Sequence, residues 1–201
     1  QKNYVPICFH VNPGPGKPGF AREFVSVLTT YPDLKINCPH LMLSSINQDR
    51  LRELLDVFPN LYSDLSFGHD TYLIEGLRRI SKNVDKFRQL FHDYPDRFMW
   101  GSDLVLTNHP RKNDEWIRIR YQVYFDMLSK KTYTSPLIPG EQLNGLALEA
   151  ALLEKILMQN YVDFSARRPK GTVISHRVDW SRMGVDASKP TAGPFTNAPI
   201  Q

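Results

Sequence analysis

A chain of 201 residues, 41% hydrophobic and 11% aromatic, holds enough apolar material for one packed domain with an appendage, which excludes a disordered polymer. No run of about 18 apolar residues occurs, so no transmembrane helix is expected, and two cysteines, Cys8 and Cys38, cannot build the disulfide framework of a small secreted scaffold. The formal charge of +4 sits wholly after Phe164, where six Lys/Arg meet two acids; the body before it carries nineteen of each sign, which argues against a nucleic-acid surface on the domain.

The body alternates strand and helix. Val5 to His10 is a short apolar run that stops at a Gly/Pro cluster, Asn12 to Gly19, as a strand feeding a loop does. Phe20, Phe24, Val27 and Leu28 follow at helical spacing, and Tyr31-Pro32-Asp33 turns the chain into a second strand, Leu34 to His40. Leu51, Leu54, Leu55 and Phe58 form an i, i+3, i+4, i+7 stripe and predict an amphipathic helix. A third strand, Leu61 to Ser66, precedes a stripe from Leu73 to Phe91 that predicts one helix of roughly 20 residues. Arg97 to Asp103 reads as a fourth strand. Helices are expected from about Asp114 to Ser129 and from Leu148 to Gln159, with a Pro/Gly-containing loop, Thr132 to Gly145, between them. Four βα units joined by short turns predict an α/β fold with a parallel sheet. The pattern stops after Arg167, so the expected organisation is a domain over 1–167 and an extended or disordered basic arm over 168–201.

In such a fold chemistry gathers where strands end. Three strands end in a residue that binds metal or moves protons, namely His10, His40 and Asp103; the other ends in Ser66. Two imidazoles and a carboxylate suit a divalent metal such as zinc, and an Asp beside a metal-bound water can also act as a base. The plainer readings are a strand-end histidine that hydrogen-bonds its loop and an Asp103 that only caps a helix. His69, His92, His109 and His176 are read as loop or surface residues. Cys8 and Cys38 each precede a candidate histidine by two positions, so alternation predicts that both thiols pack inside as small apolar groups.

Four segments carry a family resemblance. Tyr31-Pro32-Asp33-Leu34-Lys35-Ile36 leading to Pro39-His40-Leu41, Pro59 to Ser66, Arg97 to Asp103, and Leu153 to Asn160 resemble, in order and across about 160 residues, segments of the amidohydrolase-related metal hydrolases and decarboxylases. The resemblance implies parallel (β/α) units corresponding to strands five to eight of a TIM barrel. It implies that His10 and Asp103 bind a divalent metal, zinc in that family's pattern, and that His40 and Asp103 handle protons for a small-molecule substrate. That family completes its metal site with a His-x-His on strand one, and this sequence has none. The family's Gly after His-Leu is Met42 here, and the Pro after its Gly-Ser-Asp-Tyr is absent.

A complete barrel takes about 250 residues, and half of one leaves a sheet face and two strand edges uncovered. Another chain or a second copy is therefore expected to complete it. The alternative is a non-catalytic structural subunit that keeps the scaffold and docks through its C-terminal arm. Two free thiols favour a cytoplasmic location, while the Gln1 start leaves a cleaved leader open.

Overall fold

The computed structural model describes residues 5–10, 17–43 and 48–166. Four parallel strands form one sheet in the order β1 (Ile7–Cys8), β2 (Ile36–Cys38), β3 (Leu61–Asp64) and β4 (Phe98–Met99). The fold class is α/β, as the alternation predicts. The regular strands are shorter than the apolar runs, because ladder pairing ends before each run does, and the remaining residues form the loops at the sheet edge. Connecting them are α1 (Lys17–Thr30), α2 (Gln48–Val57), α3 (Asp70–Lys82) and α4 (Val84–Asp93). Beyond β4 come α5 (Asp114–Ser129), a hairpin of β5 (Thr132–Tyr133) and β6 (Leu143–Asn144), α6 (Ala150–Glu154), a π turn over Lys155–Gln159, and α7 (Asn160–Ser165).

Alternation along each strand divides the sheet into two unlike faces. Ile36, Cys38, Leu61, Leu65 and Phe98 are fully buried among Phe24, Leu28, Leu51, Leu55, Leu73, Leu77 and Phe91, so the helical layer covers that face. The opposite face carries Lys35, Asn37, Tyr62, Asp64, Met99 and Gly101. Its lower part is covered by α7: Phe164 packs on Tyr62 and Met99, its ring centroid 5.2 Å from that of Tyr62. The Lys35 ammonium donates to the carbonyls of Asp163 and Ala166, which fastens the end of α7 to β2. The π turn serves the same join. Widening the helical turn makes the Ile156 carbonyl available to the sheet, where it accepts the Trp100 N–H at 2.8 Å and continues β4 beyond its last partner strand.

The single helix read from Leu73 to Phe91 is two helices. Asn83 (φ −134, ψ 37) interrupts it, its side-chain amide donating to the Arg79 carbonyl at 2.9 Å, the local competition with the helix ladder that asparagine favours. Periodicity hid the break because Leu77, Ile80, Phe87 and Phe91 all face the same core. The stretch from Thr132 to Gly145, read as a loop, contains the β5–β6 hairpin. It lies against the end of α5 through Gly145 N–H to Lys131 O and Leu146 N–H to Met127 O, at 2.8 and 2.7 Å. The end of the Gly/Pro cluster, Lys17 to Gly19, read as loop, is already helical, since α1 begins at Lys17. The arm over 168–201 and His176 lie outside the described residues. Among the described residues no helix is long and apolar enough to cross a membrane.

Candidate active site

The three strand-end residues converge. His10 Nε2 lies 2.8 Å from His40 Nε2, and Asp103 Oδ2 lies 3.9 Å from the same His40 nitrogen. The rings of the two histidines meet edge to face with centroids 4.8 Å apart. His40 is mostly buried, whereas Asp103 is half exposed at the rim.

The loop that brings His40 here has an unusual backbone. His40, Leu41 and Met42 all have positive φ (61, 52 and 54), a left-handed turn made without glycine. Each such residue costs roughly 1–2 kcal/mol in L-amino acids. Three features hold it: Leu41 and Met42 are buried, the Met42 N–H reaches the Pro39 carbonyl at 3.0 Å, and the His40 N–H donates to Asp64 Oδ1 at 3.2 Å. Asp103 also has positive φ, 50. It passes so close to Gly68 (φ 64) that a Cβ on Gly68 would stand 2.4 Å from Asp103 Oδ2.

Asp64 organises the site, and the sequence reading did not single it out. Its Oδ1 accepts the N–H groups of His40 and Ser66, at 3.2 and 3.0 Å, and the Ser66 hydroxyl; its Oδ2 accepts Asn37 Nδ2 at 2.8 Å. Ser66 is thereby fixed beside His40, whose Nδ1 lies 2.8 Å from the Ser66 carbonyl and 3.0 Å from its hydroxyl oxygen. A carbonyl only accepts, so His40 Nδ1 carries the proton and the neutral ring presents a lone pair at Nε2. In this arrangement His10 Nε2–H donates to it. The signal in the sequence was alternation: in the apolar run Leu61 to Ser66, of which β3 takes the first four residues, Asp64 and Ser66 are two apart and fall on the face that carries Asn37.

Cysteine placement departs from the expectation. Cys38 is buried as predicted, but Cys8 is exposed, its sulfur receiving a weak hydrogen bond from Asn37 Nδ2 at 3.8 Å. Partial burial and then the Asp64 charge raise the Cys8 pKa, which disfavours the thiolate a metal would need.

The donor set of His10 and Asp103 has the chemistry of a zinc site: imidazole nitrogen and carboxylate oxygen. Two imidazole nitrogens bound tetrahedrally to zinc at about 2.0–2.1 Å stand roughly 3.3 Å apart, so the 2.8 Å contact between His10 and His40 is a hydrogen bond and not a pair of ligands. Among the described residues no group of three or more His, Cys, Asp or Glu is set to hold a metal. His10 and Asp103 supply two donors of the kinds zinc takes, fewer than the three protein ligands of a catalytic zinc site.

Beside Asp103 opens a cleft of about 450 Å³, walled by the loop after β4 and by the starts of α3 and α5. His69 and His109, read as plain loop residues, both line it. One wall is braced by Arg120, 3% exposed, whose guanidinium forks onto Asp70 at 2.5–3.1 Å and stacks 3.9 Å over the Trp116 ring. His92, by contrast, is a surface residue 3.4 Å from Glu149.

No family model, curated protein or solved structure matches the chain.

Proposed function

We propose that this chain is the strand-five-to-eight portion of a (β/α)8 barrel of the amidohydrolase-related type, a metal-dependent hydrolase or decarboxylase acting on a small molecule. The observation that carries the reading is the meeting of His10, His40 and Asp103 at the C-terminal edge of a parallel sheet, where His40 Nε2 lies 2.8 Å from one partner and 3.9 Å from the other. The sheet face bearing Asn37, Asp64 and Gly101 would line the barrel. The edge of β1 would receive strands from another chain or a second copy, together with further metal ligands; β4 would do so once the π turn and Asn160 release its Trp100 N–H and Phe98 carbonyl, which they bond at 2.8 and 2.7 Å here.

A zinc ion held by His10 and Asp103 would supply Lewis acidity and lower the pKa of water towards about 7. His40 is the proton carrier. Its Nε2 lone pair accepts the His10 Nε2–H in this structure and would be freed as His10 turns to a metal. With Nδ1 committed to Ser66, that Nε2 would then take a proton from the attacking water and pass it to the leaving group, and the imidazolium formed in between keeps its Nδ1–H donor bond to the Ser66 carbonyl. Asp64 orients this base through Ser66 and through the His40 backbone, the part a third residue plays behind many catalytic histidines. Asp103, at the rim, holds the reacting group against His40.

The absence of any His-x-His favours one second reading, a structural subunit that retains the scaffold without catalysis. Metal analysis of the intact assembly separates the two. The enzyme reading expects a first-row metal near one equivalent, lost in His10→Ala together with activity on a panel of esters, amides and carboxylic acids. If no metal copurifies and His10→Ala changes nothing, the chain is scaffold.

A further inference from the structure

The cleft beside Asp103 presents hydrogen-bond donors. His69 Nδ1 caps α3 by accepting the Thr71 N–H at 3.3 Å, and His109 Nδ1 accepts the Arg111 N–H at 3.2 Å. A ring nitrogen that accepts an N–H has no proton of its own, so each neutral ring carries its hydrogen on Nε2. Among the described residues neither Nε2–H has an acceptor, and both rings line the cleft. Arg111 adds a guanidinium with no acidic partner among the described residues, in the fork geometry that matches a carboxylate or phosphate. The Lys112 ammonium is anchored on the Val105 carbonyl and lies 5.6 Å from the Trp116 ring centroid.

Of the two carboxylates in the lining, Asp70 is neutralised by the buried Arg120. Asp103 is packed on Gly68, with its Oδ2 towards His40. The cleft thus combines donors that have no protein acceptor among the described residues, and a net positive charge once Arg120 offsets Asp70, with apolar wall from Leu104, Val105 and Trp116.

We propose that this cleft seats the anionic end of the substrate, a carboxylate or phosphate carried on an apolar body. Arg111, His69 and His109 donate to its oxygens, while Val105 and Trp116 flank the body. The assignment of this anion as substrate rests on the reading of His10, His40 and Asp103 as the reacting centre, which the cleft adjoins through Asp103.

The test is calorimetric titration of the full chain, kept metal-free with EDTA, with benzoate, phenyl phosphate and neutral benzamide. One of the two anions is expected to bind at least tenfold more tightly than benzamide, and which one does so identifies the group. Arg111→Gln, and separately the double variant His69→Asn/His109→Asn, should each weaken that anion at least tenfold while leaving benzamide unchanged. Asparagine retains an acceptor for the capped N–H, while its amide donor stands at the imidazole Cδ2 position, one bond short of Nε2–H, and unchanged melting of the variants confirms that the loops survive. Equal binding of benzamide, no binding of either anion, or variants that bind as the parent does would overturn the proposal. Because no metal is present, failure here leaves the metal reading standing, and loss of metal in His10→Ala leaves this result untouched.

Discussion

Replacing Asp64 with alanine removes the acceptor on which the left-handed turn at His40 depends. Two backbone N–H groups, those of His40 and Ser66, lose a carboxylate partner, and hydrogen bonds to charged groups contribute about 1.5–3 kcal/mol each. Part of that loss is recovered, because a released turn escapes some of the roughly 1–2 kcal/mol per residue stored at His40, Leu41 and Met42. The net expectation is about 3 kcal/mol. At about 2–4 °C per kcal/mol for a chain of this size, the melting temperature falls by roughly 6–12 °C. Circular dichroism melting of the full chain in EDTA measures this without a metal contribution. Asp64→Asn should lie between, since its one oxygen still serves the backbone while its amide opposes Asn37 Nδ2, a donor facing a donor. If Asp64→Ala melts within about 2 °C of the parent, the carboxylate does not hold the turn and the reasoning is wrong.

Gly68→Ala would set a Cβ 2.4 Å from Asp103 Oδ2 at a φ of 64, so Asp103 must swing away; a loss of roughly 1–2 kcal/mol from backbone strain and at least tenfold weaker zinc binding are expected by melting and by metal titration. Gly145→Ala would place its Cβ 2.2 Å from the Lys130 carbonyl and 3.1 Å from those of Asp126 and Met127. Backbone cannot yield as a side chain does, so destabilisation of about 3 kcal/mol is expected in urea unfolding, and a variant as stable as the parent would show that the hairpin does not press on α5. Alkaline pH gives a third readout. Burial pushes Tyr62 up to about 12 and Tyr133 higher, from an ordinary 10.0. The folded state then holds more protons than the unfolded chain between pH 10 and 12, so stability is intact below pH 10 and falls as pH rises through that window, with the phenolate absorbance of these buried tyrosines appearing as the chain unfolds.

Residue types at the ends of the apolar runs were enough to pick out His10, His40 and Asp103, because a parallel α/β sheet brings strand ends to one edge whatever the loops do. What escaped depends on contacts between distant segments. His69 and His109 read as ordinary loop residues until the loop after β4 meets the start of α3, forty positions away in sequence. Two-residue strands such as Thr132–Tyr133 are too short to alternate, so the hairpin had no pattern to read. Asp64 was legible as a strand residue but not as a hub, since two of its four donors, Asn37 and His40, come from the end of β2, more than twenty positions away. Met42 shows both sides at once. Its position, where the resembling family has glycine, was noticed as a crowding problem, and its φ of 54 states the problem in physical terms. A chain that places methionine in a left-handed turn needs burial of Leu41 and Met42 and an anchoring carboxylate to keep it there. The residues that hold this strain are the same ones that fix His40 Nε2 towards His10 and Asp103. Backbone strain kept at the edge where donors converge, and opposed by a dedicated carboxylate, is a cost that fold stability alone does not require, and it supports a pre-organised reacting histidine over a bare scaffold.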